Sequence, residues 1–158
     1  MIPTQVRLVE VGPRDGLQNE KTPVDAATKN ELVRLLQAAG LREIEVTSYV
    51  SPKWVPQLAD NAQVMAGVRR GQGVRYSVLT PNLKGFEAAV ADPAIRPDEI
   101  VVFASCSEAF SQRNINCGIE ESIERFRPVV EAAHAQAIKV RCAICRAGLP
   151  VPGRGHAR

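Results

Sequence analysis

The chain has 158 residues, 45% hydrophobic and 23% charged, the profile of one globular domain. Its net charge of +3 is modest, its basic residues are mixed with acidic ones except at the extreme end, and aromatics are only 4%, which argues against a nucleic-acid-binding stripe. No apolar run approaches the ~18 residues of a membrane helix and no basic-then-apolar leader opens the chain, so a soluble, cytoplasmic protein is the expectation.

The first apolar run, VRLVEV (6–11), reads as a strand and empties into Gly-Pro-Arg-Asp-Gly, followed closely by Gln18, Asn19 and Glu20. A helix is expected over 25–39, with Leu32, Leu35, Leu36 and Ala39 on one face. Thr22 is its expected cap, Pro23 suits its first turn, and Gly40 suits a left-handed end. REIEVTS (42–48), VRYSVLT (74–80), EIVVFAS (99–105) and IKVRCAI (138–144) read as further strands, with helices over 53–70, 82–91 and 119–137 between them. Pro128 is expected to kink the last helix. Strict alternation of strand and helix argues for a parallel sheet covered by helices. It is either an open doubly wound sheet or part of a (β/α)8 barrel, and pattern alone leaves both open. A whole barrel takes about 250 residues, so this chain holds about the first half of one.

In such folds the carboxyl ends of the strands converge on one rim, where sites are built. The first strand delivers Arg14 and Asp15 there, the second Glu45, Thr47 and Ser48, the third Thr80 and Asn82, the fourth Ser105 to Glu108. In EIEVTS the side chains alternate, so if Ile44 and Val46 face the helices, Glu45 faces the other side of the sheet. Glu10 has the same standing in LVEVG. A carboxylate in that position is costly unless paired. Arg14 is a natural partner through two hydrogen bonds, and Asp15 is a hard oxygen ligand for a divalent cation. The bland alternatives are a surface turn at Asp15-Gly16 and an edge-strand charge at Glu43 or Glu45. Among the four cysteines, Cys142 and Cys145 form a CxxC. With no second pair this is a weak zinc signal, and no helix start follows it for a redox role. His134 and His156 find no catalytic place.

Four stretches in order carry a resemblance: VEVGPRDGLQNE, GLREIEVTSYVSPKWVPQLAD, LTPNLKGFEAAV and NINCGIEESIERF. From about residue 5 to residue 141 the chain resembles the 3-hydroxy-3-methylglutaryl-CoA lyases. The resemblance implies a TIM barrel and a divalent cation, magnesium or manganese. It implies retro-Claisen cleavage of an acyl-CoA substrate to acetyl-CoA and acetoacetate, in leucine degradation and ketone-body formation. It implies that Arg14 binds the acyl oxygens and stabilises the forming enolate, that Asp15 ligates the metal and moves a proton, that Glu45 holds Arg14, and that Gln18 and Ser48 line the substrate pocket. The related isopropylmalate and homocitrate synthases and the carboxyltransferase domain of pyruvate carboxylase share the Arg-Asp-Gly turn and are the nearest alternatives.

The sequence departs from that pattern in its second half. The His-x-His pair and asparagine that complete the family's metal site, and the cysteine of its glycine-rich loop, have no counterpart here. Residues 1–141 are therefore expected to be the first half of a barrel and 142–158 a disordered tail that does not match. The tail, with four Arg, three Gly, two Pro and no acid from 141 on, has the composition of a frameshifted reading of a GC-rich gene. A half barrel would expose strand edges and inner apolar side chains and so tend to associate with a copy of itself or with a complementary chain. It is expected to be inactive alone, and one alternative is a non-catalytic half barrel that needs a partner.

Overall fold

A computed structural model describes residues 3–145 of the chain. Four strands, β1 (Glu43–Ser48), β2 (Arg75–Leu79), β3 (Glu99–Ser105) and β4 (Lys139–Cys145), pair in that order. All three pairings are parallel. Helix α1 (Ala26–Ala38) precedes β1; parallel neighbours need a crossover, and the crossovers carry helices α2 (Asn61–Gly67), α3 (Leu83–Val90), α4 (Glu108–Ile115) and α5 (Ile119–Ala135). One face of the sheet packs on them: Ile44, Val46, Tyr76, Val78, Ile100 and Val102 meet Val33, Val64, Phe86, Val129 and Ala133 in one buried cluster.

The run 6–11 does not form the strand its sequence suggests. It holds a single parallel bridge, Glu10 to Ile44, in which Glu10 N–H donates to the Glu43 carbonyl at 2.9 Å and Glu45 N–H to the Glu10 carbonyl at 2.8 Å. Val6 and Leu8 are 78% and 75% exposed. With a neighbour on one side only, their β-branched and apolar side chains have nothing to bury against among the described residues, and propensity alone does not hold an edge strand.

The α1 cap is Asp25, not Thr22: Asp25 is extended and its carboxylate accepts the Thr28 N–H at 2.7 Å. Gly40 takes φ +96, and the Leu41 N–H reaches back to the Leu36 carbonyl at 3.1 Å, the paired closure that glycine permits at a helix end. The helix expected over 53–70 is a 3-10 turn at Pro56–Leu58 followed by the short α2, because Pro56 has no N–H for a helix interior. α3 starts on Asn82, which accepts the Gly85 N–H at 2.9 Å. α4 is an element that periodicity did not reveal. It is polar, started by the Ser107 hydroxyl and ended by Asn116 at φ 53. Pro128 sits within a continuous α5.

The opposite face of the sheet, expected to carry apolar side chains, does so at Leu79 and Val101 but is otherwise built on charge. Glu43, Glu45, Arg75, Ser77, Glu99 and Arg141 occupy it, joined by Arg7 from the first segment. The acids and bases alternate, so each finds a partner. Among the described residues no helix is long and apolar enough to cross a membrane. Residues 142–145, expected to begin a disordered tail, instead complete β4 by pairing with Val102–Ser105; the rest of that tail, 146–158 with His156, lies outside the described residues.

Candidate functional site

The Gly-Pro-Arg-Asp-Gly turn is one wide helical loop, Gly12–Gly16. The Val11 carbonyl accepts both the Arg14 N–H (3.1 Å) and the Asp15 N–H (2.7 Å). Glu10, which has the same strand parity as a pocket carboxylate, instead folds back and takes the Gly12 N–H at 2.6 Å. A Cβ on Gly12 would stand 2.8 Å from that carboxylate oxygen, so glycine is what lets Glu10 close the turn. The turn thus projects Arg14 and Asp15 together from the exit of the first segment.

Arg14 is held at two points. Its Nε donates to Glu45 Oε1 at 2.5 Å and its Nη1 to Asp15 Oδ1 at 2.7 Å. Glu45 is fully buried, and its second oxygen accepts from Arg141 Nη2 at 2.7 Å. Arg141 Nε in turn donates to Glu99 at 2.8 Å, and Glu99 is gripped from the other side by Arg7 Nη2 at 3.1 and 3.3 Å. Burial pulls the Arg141 guanidinium pKa down, but its hydrogen bonds to Glu45 and Glu99 and their charges outweigh that, and the net shift is upward. The second terminal nitrogen of Arg14, Nη2, has no hydrogen-bond partner among the described residues. A guanidinium fixed by two carboxylates with one donor edge left over is preorganised to meet an oxygen that gains negative charge.

Ser48 reaches the site through an irregularity that the sequence pattern hides. The β1–β2 register slips between Glu45 and Thr47, so Ser48 aligns with Leu79 and Glu45 with Ser77. Leu79 and Ser77 share one face of β2, so the slip turns Ser48 to the side of Glu45. Without it, parity would send Ser48 toward the helices with Ile44 and Val46. Ser48 is buried; its hydroxyl accepts the Val50 N–H at 3.4 Å and its carbonyl the Asn61 amide at 3.1 Å. Gln18 follows the turn half-buried, and its side chain has no hydrogen-bond partner among the described residues. The rim loop after β1 is tied down by a buried lysine, Lys29, whose Nζ donates to the Gln57 carbonyl and to Asp60, both at 2.6 Å.

Asp15 is more than half exposed and already paired with Arg14. Among the described residues no three His, Cys, Asp or Glu side chains gather as a metal shell. Cys106, Cys117 and Cys142 are free thiols. Asp15 fits one ligand position of a hard cation, and the described residues do not complete the site. A cavity of about 510 Å³ opens at the opposite end of the sheet, at the strand starts, lined by Glu43, Arg75, Arg96, Asp98 and Lys139. Most of its charges are committed: Arg75 to Glu43, Arg96 to the Gln136 carbonyl, Asp98 to Arg70. It is therefore not the place where Arg14 and Asp15 act.

The HMGL-like family model matches residues 5–150. The chain belongs to the HMGL-like family. The match reaches past Arg141, where the resemblance read from the four stretches ends. Among HMGL-like relatives, the 3-hydroxy-3-isohexenylglutaryl-CoA/hydroxymethylglutaryl-CoA lyase of Pseudomonas aeruginosa is 59% identical over 153 residues, 96% of this chain and 50% of that protein. The human mitochondrial hydroxymethylglutaryl-CoA lyase is 51% identical over 97% of this chain and 46% of its own length. The crystal structure of the hydroxymethylglutaryl-CoA lyase from Pseudomonas aeruginosa superposes with a TM-score of 0.83 at 60% identity, covering 90% of this chain and 46% of that one. An Acinetobacter baumannii HMG-CoA lyase solved with coenzyme A and 3-methylmalate gives 0.80 at 32% identity, covering 91% and 47%. The chain spans about half the length of the relatives it matches, and its four parallel strands, alternating with helices, are part of a TIM barrel, about one half of it.

Proposed function

We propose that the chain carries the substrate-activating part of a hydroxymethylglutaryl-CoA lyase site. The observation that carries this reading is the doubly pinned Arg14 with its Nη2 edge free, at the mouth of the first barrel segment. In cleavage of 3-hydroxy-3-methylglutaryl-CoA, a base takes the tertiary hydroxyl proton, the carbon–carbon bond breaks, and charge gathers on the thioester oxygen of the departing acetyl-CoA enolate. Arg14 is the donor for that oxygen. Its directional hydrogen bonds to Glu45 and Asp15 mean that little reorganisation is needed as the charge forms. Ser48, turned inward by the register slip, and Gln18 line the approach of the acyl chain. Asp15 supplies one oxygen ligand to a divalent cation, magnesium or manganese, and takes part in proton transfer. The other ligands must come from water, substrate or residues beyond those described.

The test is a chimera joining residues 1–145 of this chain to the remaining half of the Pseudomonas aeruginosa lyase. It is expected to release acetoacetate from 3-hydroxy-3-methylglutaryl-CoA with magnesium or manganese. Arg14→Met in that chimera should lower kcat about 10²-fold or more, the scale of removing one charge-stabilising donor. A folded chimera inert toward this thioester would overturn the reading, and condensation of acetyl-CoA with a 2-oxo acid instead would point to a synthase of the isopropylmalate type. The 158-residue chain alone is expected to bind the thioester without turnover, since its described residues offer a single cation ligand.

A further inference from the structure

Arg14 and Arg141 are not hydrogen-bonded to each other; they meet through Glu45, one on each carboxylate oxygen, at 2.5 and 2.7 Å. A carboxylate held from one side only can turn about its terminal torsion, which has broad minima. Held at both oxygens, its plane is set, and so is the direction in which it points Arg14. Arg141 is itself fixed, by Glu99 at 2.8 Å and by the Ser77 hydroxyl at 3.3 Å. Glu99 is fixed by Arg7. The side chains of Glu45 and Glu99 are 1% and 3% exposed, so neither can readily replace a lost partner with water. Four sheet-face positions from β1, β2, β3 and β4 thus converge on the aim of one guanidinium at the rim.

We propose that Arg141 is a positioning residue for Arg14, acting through Glu45 and anchored by Glu99 and Ser77. For the lyase chemistry this inference rests on the reading of Arg14 given above; the clamp itself does not. A point donor such as lysine replaces it only in part, because two carboxylates and a hydroxyl must be met by one planar fork.

The test uses the full 158-residue chain without ligand and reads hydrogen exchange of the Arg14 Nε–H by nitrogen-15 NMR. In Arg141→Met this proton should exchange about tenfold faster, as expected when one of two coupled contacts is released. The Ile100 and Val102 amides in β3 should keep their wild-type rates. Arg141→Lys should fall between the two and is the variant read if the methionine form does not fold. Unchanged Arg14 exchange in either folded variant would overturn the proposal. So would acceleration shared equally by the β3 amides, which would show that Arg141 only supports the fold. A second arm titrates 3-hydroxy-3-methylglutaryl-CoA. Wild type should bind, Arg141→Met should bind about tenfold more weakly, and the Arg14→Met/Arg141→Met double variant no more weakly than Arg14→Met alone. Additive losses in that cycle would count against positioning. If wild type does not bind the thioester while Arg14 exchange still responds to Arg141, the positioning role stands and the lyase reading falls.

Discussion

Glu45→Gln removes one negative charge from the middle of the network and keeps the side-chain volume, so no cavity forms. The carboxylate is fully buried and meets two guanidinium groups, at 2.5 and 2.7 Å. At an effective dielectric of 20, each such pair is worth roughly 4 kcal/mol gross, before desolvation is counted. Removing one partner of a buried ion pair costs about 3–5 kcal/mol because the surviving charge is stranded. Here the stranding is incomplete: Arg14 keeps Asp15 and Arg141 keeps Glu99, at 2.7 and 2.8 Å. The expected loss is therefore at the lower end, about 3 kcal/mol, a large share of the ~5–15 kcal/mol that holds an ordinary domain folded. Urea unfolding followed by circular dichroism should show the midpoint falling by about 1–2 M. Replacing the whole triad, as Arg14→Met/Glu45→Leu/Arg141→Met, should recover most of that loss, since no charge is then left buried alone. A Glu45→Gln protein within about 0.5 kcal/mol of wild type would refute the reasoning, because it would mean that solvent screens the site like a surface pair.

Tyr49 is buried with its hydroxyl unpartnered among the described residues, and burial raises its pKa above the ordinary 10.0. The folded protein therefore holds this proton at pH values where the unfolded chain has released it, so stability is full below about pH 10 and falls as pH rises beyond it. Tyr49→Phe should flatten that alkaline loss in pH-dependent urea midpoints and leave neutral stability unchanged or slightly higher. Gly85→Ala would place a Cβ 2.8 Å from the Tyr49 carbonyl and 3.1 Å from Pro81 Cδ. Because the nearer atom is backbone, a cost of about 1–3 kcal/mol is expected despite the better helix former. Calorimetry should show this as a melting temperature lower by roughly 5 °C. Millimolar magnesium should leave the melting temperature of the 158-residue chain unchanged, since Asp15 alone gives no saturable site. A clear upward shift would mean that further ligands lie outside the described residues.

Much of the architecture could be read from the chain itself. The alternation of Val- and Ile-rich runs with helical stretches placed β1 to β4 within a residue or two, and the parity of EIEVTS put Glu45 opposite Ile44 and Val46, as the structure has it. These features are local: side-chain alternation and glycine's tolerance of positive φ at Gly40 depend on neighbours along the chain. The polar helix α4 escaped because its apolar period is weak, although Ser107 and Asn116 mark its two ends. The run 6–11 misled because strand propensity does not supply a second neighbour.

What the tertiary structure decided is the long-range part. Arg141 lies 96 positions from Glu45 and 42 from Glu99, and no periodicity links such distances; the parallel register alone brings them to one face. The register slip after Glu45 is likewise silent in the sequence, yet it turns Ser48 inward. The resemblance pointed to the Arg14, Asp15 and Glu45 constellation. That Glu45 needs a second arginine to aim the first, and that the sheet's inner face carries a charged network beside the apolar Leu79 and Val101, follows only from folding. Burying a carboxylate requires partners on both of its oxygens, and the second of them comes from the far end of the described chain.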